Sequence, residues 1–297
     1  MDSLINQIKS KIKSNILLDY DMRKSTWFRA GGNALGYVIV NNISDLKTIL
    51  SYANQIKYYI VGVGSNLMIR DGGFDGLIIK LGKNFNKIKI NKDTLSAGAA
   101  VLDVNLAKFA LKNSIKDFEF FSGIPGTIGG AIKMNAGCFG SQTADILKRI
   151  LVINKLGKIE YLTKNELGLK YRSSNLTDEL VVLKADFICK YSSASEIIEK
   201  KNSIKLKRES SQPIKEKTSG STFKNPPGEY AAALIERAGC KGMKNGDASV
   251  STIHSNFIIN NGEATALDIE NLGKKIIKQV HEKFGITLEW EIKIIGT

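Results

Sequence analysis

Residues 122–140 hold six glycines, at 123, 126, 129, 130, 137 and 140, with Pro125 between the first two. No other feature of the chain limits the fold as much. Glycine loses more backbone entropy on ordering than any other residue, so a run this dense implies a close approach to the main chain. Tight packing turns would supply that approach. So would a flat cofactor or a pyrophosphate laid against bare backbone. A second loop, Gly62-Val63-Gly64-Ser65-Asn66, follows an apolar run at 58–63. Its N–H groups can converge on an anion, with Ser65 and Asn66 as polar neighbours. It is no dinucleotide fingerprint, because a strand pattern and not a helix follows it, and it lacks the Lys-Ser/Thr ending of a P-loop. Taken alone it also reads as an ordinary tight turn.

The elements around these loops mix strands and helices without a regular βαβ beat, which argues for α+β over a doubly wound sheet. Periodicity predicts helices near 3–13, 44–53, 102–112, 195–209, 229–238 and 266–284. It predicts strands at 58–63, 67–70, 77–81, 149–155, 158–162, 180–191 and 256–260, and a hairpin at 86–101. A last strand is expected at 287–295, with Leu288, Trp290, Ile292 and Ile294 on one face. Large apolar residues thin out at 209–222, which reads as a domain linker.

At 297 residues the chain has room for about two domains. Its three cysteines, Cys138, Cys189 and Cys240, fit neither a disulfide framework nor a zinc site, so a reducing cytoplasm is the simplest setting. The two histidines, His254 and His281, are too few and too far apart for a metal centre or a Ser-His pair, and no metal is expected. No apolar run reaches the ~20 residues of a membrane span. The net charge of +14 asks for polyanionic partners. The lysine-rich stretches 9–13, 83–92 and 199–217 lack interleaved aromatics, so they read as solvated faces and not as a nucleic-acid surface.

Three groups stand out as reactive. Arg172, one of seven arginines, follows Tyr171; a guanidinium binds a carboxylate in a planar fork that lysine cannot copy. Ser221 lies in Ser219-Gly220-Ser221-Thr222-Phe223-Lys224-Asn225-Pro226-Pro227, where a hydroxyl in a rigid turn can donate a proton beside a cation. Glu289 and Glu291 share one face of the last strand, either solvated or placed to tune a proton transfer.

In order along the chain, the segments Thr26-Trp-Phe-Arg-Ala-Gly-Gly32, Gly62-Val-Gly-Ser-Asn66, Gly123-Ile-Pro-Gly-Thr-Ile-Gly-Gly-Ala131, Met134-Asn-Ala-Gly137, Tyr171-Arg172, Gly220-Ser-Thr-Phe-Lys-Asn-Pro226 and Leu288-Glu-Trp-Glu-Ile292 closely resemble the UDP-N-acetylenolpyruvoylglucosamine reductases, the MurB family. The likeness spans about residues 20–296. The spacing of Arg172 and Ser221, and Arg208-Glu-Ser-Ser-Gln212-Pro213, resemble the shorter type II form. The resemblance implies a PCMH/VAO-type FAD-binding domain of two α+β subdomains over 1–208, split near 80. A C-terminal α+β substrate-binding domain follows over 209–286, and a terminal strand, 287–297, returns Glu291 to the active site. It implies FAD as cofactor and NADPH as co-substrate. The flavin N5 then passes hydride to the vinyl carbon of UDP-GlcNAc-enolpyruvate, giving UDP-N-acetylmuramate for the cell wall.

Carried over residue by residue, Ser221 is the proton donor, Arg172 binds the enolpyruvyl carboxylate and Glu291 assists. FAD contacts fall on Gly62, Gly64, Ser65, Asn66, Leu67, Gly123, Ile124, Pro125, Gly126, Thr127, Gly130, Ala131 and Gly137. Tyr171, Gln212, Lys224 and Asn225 match substrate contacts. A cytoplasmic monomer with no nucleic-acid or membrane partner is expected; the alternatives are another flavin oxidase on the same fold and a basic nucleic-acid-binding protein using the lysine-rich faces, which would leave the glycine loops unexplained. The chain departs from the family in Trp290, where proline is common, in Phe139, often tyrosine, and in Ser249-Val-Ser-Thr-Ile-His254, where Ser-Glu-Lys-His is usual.

Overall fold

The structure, a computed structural model, describes residues 2–297. Two compact units emerge. The first takes the chain up to Leu18, then Gly36–Gly62 and Gly76–Leu206; the second takes Asp19–Leu35, Val63–Asp75 and Lys207–Thr297. Neither is continuous in sequence, whereas the expected division is. The reason is that the chain passes from one unit to the other five times, three of them inside the strands Ile16–Asp21, Asn33–Val40 and Phe74–Leu81.

In the first unit, alternating apolar residues build a five-stranded antiparallel sheet. Its order is Ile159–Thr163, Leu147–Asn154, Leu180–Ile188, Thr94–Gly98, Ile88–Asn91. Leu95, Ala97, Ile150, Val152, Ala185 and Phe187 are buried there. Phe118 and Phe121 pack edge-on against Phe187, ring centroids 5.7 and 6.2 Å away, and Phe120 stacks on Phe121 at 4.2 Å. A second sheet pairs Lys57–Val61 in parallel with residues 76–80. The expected hairpin is therefore present as Ile88–Asn91 and Thr94–Gly98, and the helix expected at 102–112 as Asp103–Lys112.

In the second unit the helix Ala266–Phe284 forms the spine. Thr265 and Asp268 cap its start reciprocally, Gly285 ends it at φ +69°, and Asp71 accepts from the amides of Ala266 and Leu267 at 2.9 and 2.8 Å. Ile269, Leu272, Ile276 and Val280 line its buried face, against Phe28, Met68, Phe223, Leu234, Leu288 and Ile292. Gly273 admits a close neighbour, because a Cβ there would fall inside the Trp290 ring. The last expected strand shrinks to Lys293–Ile295, which runs parallel to Leu67–Ile69. Upstream of it, only Trp290 forms an isolated bridge, to Phe223. The alternation of Leu288 and Ile292 inward is real, but it marks burial and not a continuous ladder. The expected linker also differs: the preceding helix runs on to Ser211, and Thr218, Ser219 and Thr222 are buried. Short polar side chains disguise a segment that is packed.

Candidate active site

In the first unit, the glycine-rich loop is laced onto residues 99–103. Gly126 O accepts from the Asp103 amide at 3.1 Å, while the amides of Ile128 and Gly129 donate to Val101 and Ala99 at 2.9 Å each. Packing explains part of the glycine density. A Cβ at Gly126 would meet the Asp103 carboxylate, at Gly137 the Ser141 carbonyl, and at Gly123 the Cys138 sulfur at 3.0 Å. At Gly129 it would lie 3.2 Å from Ala99 Cβ. Gly130 differs: the nearest atom to a Cβ there, Thr127 Oγ1, is at 3.7 Å, so the protein does not demand glycine and the main chain is left bare. The same hydroxyl would sit 2.5 Å from a Cβ on Gly62. Thr127 therefore packs against Gly62 within the first unit, and a side chain at 62 would collide with it. Ile124 and Pro125 lead into it, and Ala131 is buried in the short helix Ile128–Lys133.

Arg172 belongs to the same unit. Lys170 and Ser173 exchange main-chain hydrogen bonds, leaving Tyr171 and Arg172 at the tip of a tight turn. Arg172 has φ +51°, a conformation costly for a residue with a Cβ. Its Nη2 donates to Gly137 O at 2.7 Å, and the guanidinium lies 5.0 Å over the Tyr171 ring. The turn is held by Asn135, which is fully buried. Asn135 Nδ2 donates to Lys170 O at 3.0 Å and to Gln142 Oε1 at 2.9 Å, and its Oδ1 accepts from the Ala144 amide. Asn135 was visible only as part of Met-Asn-Ala-Gly; nothing local indicated a partner 35 residues away.

Ser221 and Glu291 belong to the second unit. Gly220, at φ +79°, turns the chain into Ser221. The next residues run antiparallel to 289–291: the Glu291 amide donates to Thr222 O and the Lys224 amide to Glu289 O, both at 2.8 Å. Glu291 therefore lies across from Thr222, one residue from Ser221. Glu289 is taken up by Lys224, whose Nζ is 3.1 Å from its Oε2. Asn66 Nδ2 donates to Glu291 O at 3.2 Å, and Asn66 O accepts from the Lys293 amide, so the polar end of the 62–66 loop also holds the Glu291 backbone. Gly64, at φ +68°, leaves room for Ser25 O, and Ser65 stands between Gly64 and Asn66. Leu67 is buried at the start of its strand, with its side chain in the core. Gln212 accepts from Arg208 Nε at 3.2 Å, and Asn225 Oδ1 caps the Ala231 amide at 3.0 Å.

Three buried hydroxyls of this unit, on Thr26, Thr218 and Ser219, have no hydrogen-bond partner within the protein, and sequence gave no warning of them. Unpaired buried polar atoms are costly and collect where a ligand binds. Among the described residues no group of His, Cys, Asp and Glu is arranged to hold a metal ion, and no helix is long and apolar enough to cross a membrane.

Comparison with known proteins identifies the family. Residues 34–163 match the FAD binding domain family, and residues 212–295 match the C-terminal domain of UDP-N-acetylenolpyruvoylglucosamine reductase. The UDP-N-acetylenolpyruvoylglucosamine reductase of Rickettsia typhi is 46% identical over 286 residues, 96% of this chain and 97% of that protein. That of Rickettsia bellii is 45% identical over 96% of this chain and 95% of that protein. The crystal structure of the enzyme from Thermus caldophilus superimposes with a TM-score of 0.83 at 32% identity, covering 95% of this chain and 98% of that one.

Proposed function

Because the chain belongs to the UDP-N-acetylenolpyruvoylglucosamine reductase family, FAD-dependent oxidoreductases with a PCMH/VAO-type α+β flavin domain, we propose that it reduces UDP-N-acetylglucosamine enolpyruvate to UDP-N-acetylmuramate with NADPH, in peptidoglycan precursor synthesis. The carrying observation for the chemistry is the antiparallel pairing of the Ser221 segment with the Glu291 segment.

The residues present fit FAD. In the first unit Gly130 offers bare main chain with the Thr127 hydroxyl beside it, a surface that suits a flat or anionic group. FAD held there would supply the two-electron chemistry that links NADPH to the enolpyruvyl substrate. The rest falls to side chains. Hydride addition to the terminal carbon places negative charge on the carbon bearing the carboxylate. Arg172 grips that carboxylate and stabilises the developing enolate; its anchor on Gly137 O and its fixed turn keep the donors oriented before the reaction starts. Ser221 donates the proton to the same carbon. A neutral hydroxyl is a weak acid, so the cationic surroundings matter, and Glu291 assists. Tyr171, Gln212, Lys224 and Asn225 contact the sugar nucleotide. Gly64, Ser65, Asn66, Leu67, Gly123, Ile124, Pro125, Gly126, Ala131 and Gly137 complete the flavin contacts. Capture of polyanionic ligands needs only a few of the +14 charges, and the surplus is lysine spread over solvated faces. The enzyme works as a cytoplasmic monomer without nucleic acid, and gel filtration near its 32.6 kDa checks the monomer.

Stopped-flow spectroscopy tests the reading. The wild-type flavin should bleach with NADPH and recover its colour with the enolpyruvyl substrate. In Ser221→Ala the bleaching should persist while recovery falls by about 10² or more. A protein that takes up no FAD rejects the function, and equal loss of both half-reactions rejects the proton-donor role.

A further inference from the structure

We infer that Asn256 is a positioning residue for proton delivery, fixing Ser221 through the peptide units that follow it; this rests on the reading of Ser221 as the proton donor. Upstream, Gly220 turns the chain at a positive φ, with open space where a Cβ would stand, so no side chain at 220 braces Ser221. Downstream, Asn256 holds the main chain that follows Ser221. Asn256 Oδ1 accepts from the Phe223 amide at 2.9 Å and its Nδ2 donates to Phe223 O at 2.7 Å, so one side chain replaces a strand partner on both sides of that residue. The main chain of the same residue adds a third bond, as Asn256 O accepts from the Thr222 amide at 2.7 Å.

The opposite edge is held by Glu291, through Thr222 O. Ser221 is thus followed by two residues gripped from both sides, with the Thr222 hydroxyl also accepting from the Ile258 amide at 3.3 Å. Asn256 is itself buried and set in a stiff loop: its amide donates to His254 Nδ1 at 3.3 Å, the Phe257 amide to His254 O at 3.0 Å, and the Ser251 amide to Phe257 O at 2.8 Å. Its amide group is the one side chain of this length that offers an acceptor and a donor to a single peptide-flanked residue. A displacement of about 1 Å in a reacting group costs about 10² in rate, so the clamp carries catalytic weight without touching substrate.

The test compares Asn256→Ala and Asn256→Asp, in the wild-type and Ser221→Ala backgrounds, as flavin-loaded full-length protein. Asp keeps the acceptor for the Phe223 amide and loses the donor to Phe223 O, which guards against a poorly folding alanine variant. Flavin reduction by NADPH should be unchanged, and reoxidation by substrate should slow by about 10² in Asn256→Ala and less in Asn256→Asp. Amide hydrogen exchange at Thr222 and Phe223 should rise in both. In the Ser221→Ala background neither substitution should slow reoxidation further, because the group being positioned is gone. Wild-type reoxidation in both Asn256 variants overturns the proposal, as does the same slowing in both backgrounds. Wild-type reoxidation in Ser221→Ala alone rejects the proton-donor reading, and with it the assignment of Asn256.

Discussion

Asp103 offers a sharp test of the cradle. It opens the helix Asp103–Lys112, is wholly buried beneath Gly126, and neither of its carboxyl oxygens has a hydrogen-bond partner. Burial alone holds its carboxyl well above the ordinary value of 3.8. The folded protein therefore keeps a proton that the unfolded chain releases. With more protons bound in the folded state, stability falls as pH rises. The favourable contribution is fully present below the ordinary value and drains away until the raised folded value is passed. Inside that window the slope is about 1.4 kcal/mol per pH unit. Asp103→Asn has nearly the same shape and no titration, so its stability lacks this slope. Urea unfolding of both proteins at a series of pH values upward from the ordinary carboxylate range should show the wild type losing stability relative to the variant as pH rises. Replacement by leucine, which removes the unpaired polar group, should stabilise by about 1–3 kcal/mol at neutral pH. Parallel wild-type and asparagine curves would refute the reasoning, since they require a carboxylate that is ionised in the folded state.

Two further outcomes follow from the geometry. Arg172→Lys loses the planar fork and cannot both hold Gly137 O and pair with a carboxylate, so steady-state kinetics should show kcat/KM for the enolpyruvyl substrate down by about 10² while flavin reduction by NADPH persists. Gly273→Ala forces a methyl group into the Trp290 ring, and chemical denaturation should report a loss of about 1–3 kcal/mol, whereas alanine in an unobstructed helix would stabilise.

Much of this was legible in the sequence where the cause is local. The helix Ala266–Phe284 was announced by its periodicity, and the hairpin 88–98 by alternation flanking a turn. The family was legible through the order and spacing of its motifs. What stayed hidden depends on distant pairing. Asn135 and Asn256 look like turn residues, the usual place for asparagine, until the structure shows each spanning more than 30 positions to grip a carbonyl. The polar run at 209–222 imitates a linker because Ser and Thr bury small hydroxyls without apolar bulk. Residues 287–292 imitate a strand because inward packing of Leu288 and Ile292 imposes a period of two whether or not a ladder forms.

The fit of the Trp290 ring over Gly273 restricts how this protein can change over generations. Glycine inside a helix costs about 1 kcal/mol relative to alanine, so on its own the position favours replacement. While the indole is present, that replacement is blocked. If the tryptophan is lost first, position 273 opens to many residues, and once one of them is fixed the indole has no way back. The two sites are therefore contingent: the same two substitutions are tolerated in one order and penalised in the other, and the first to occur decides which later sequences remain reachable.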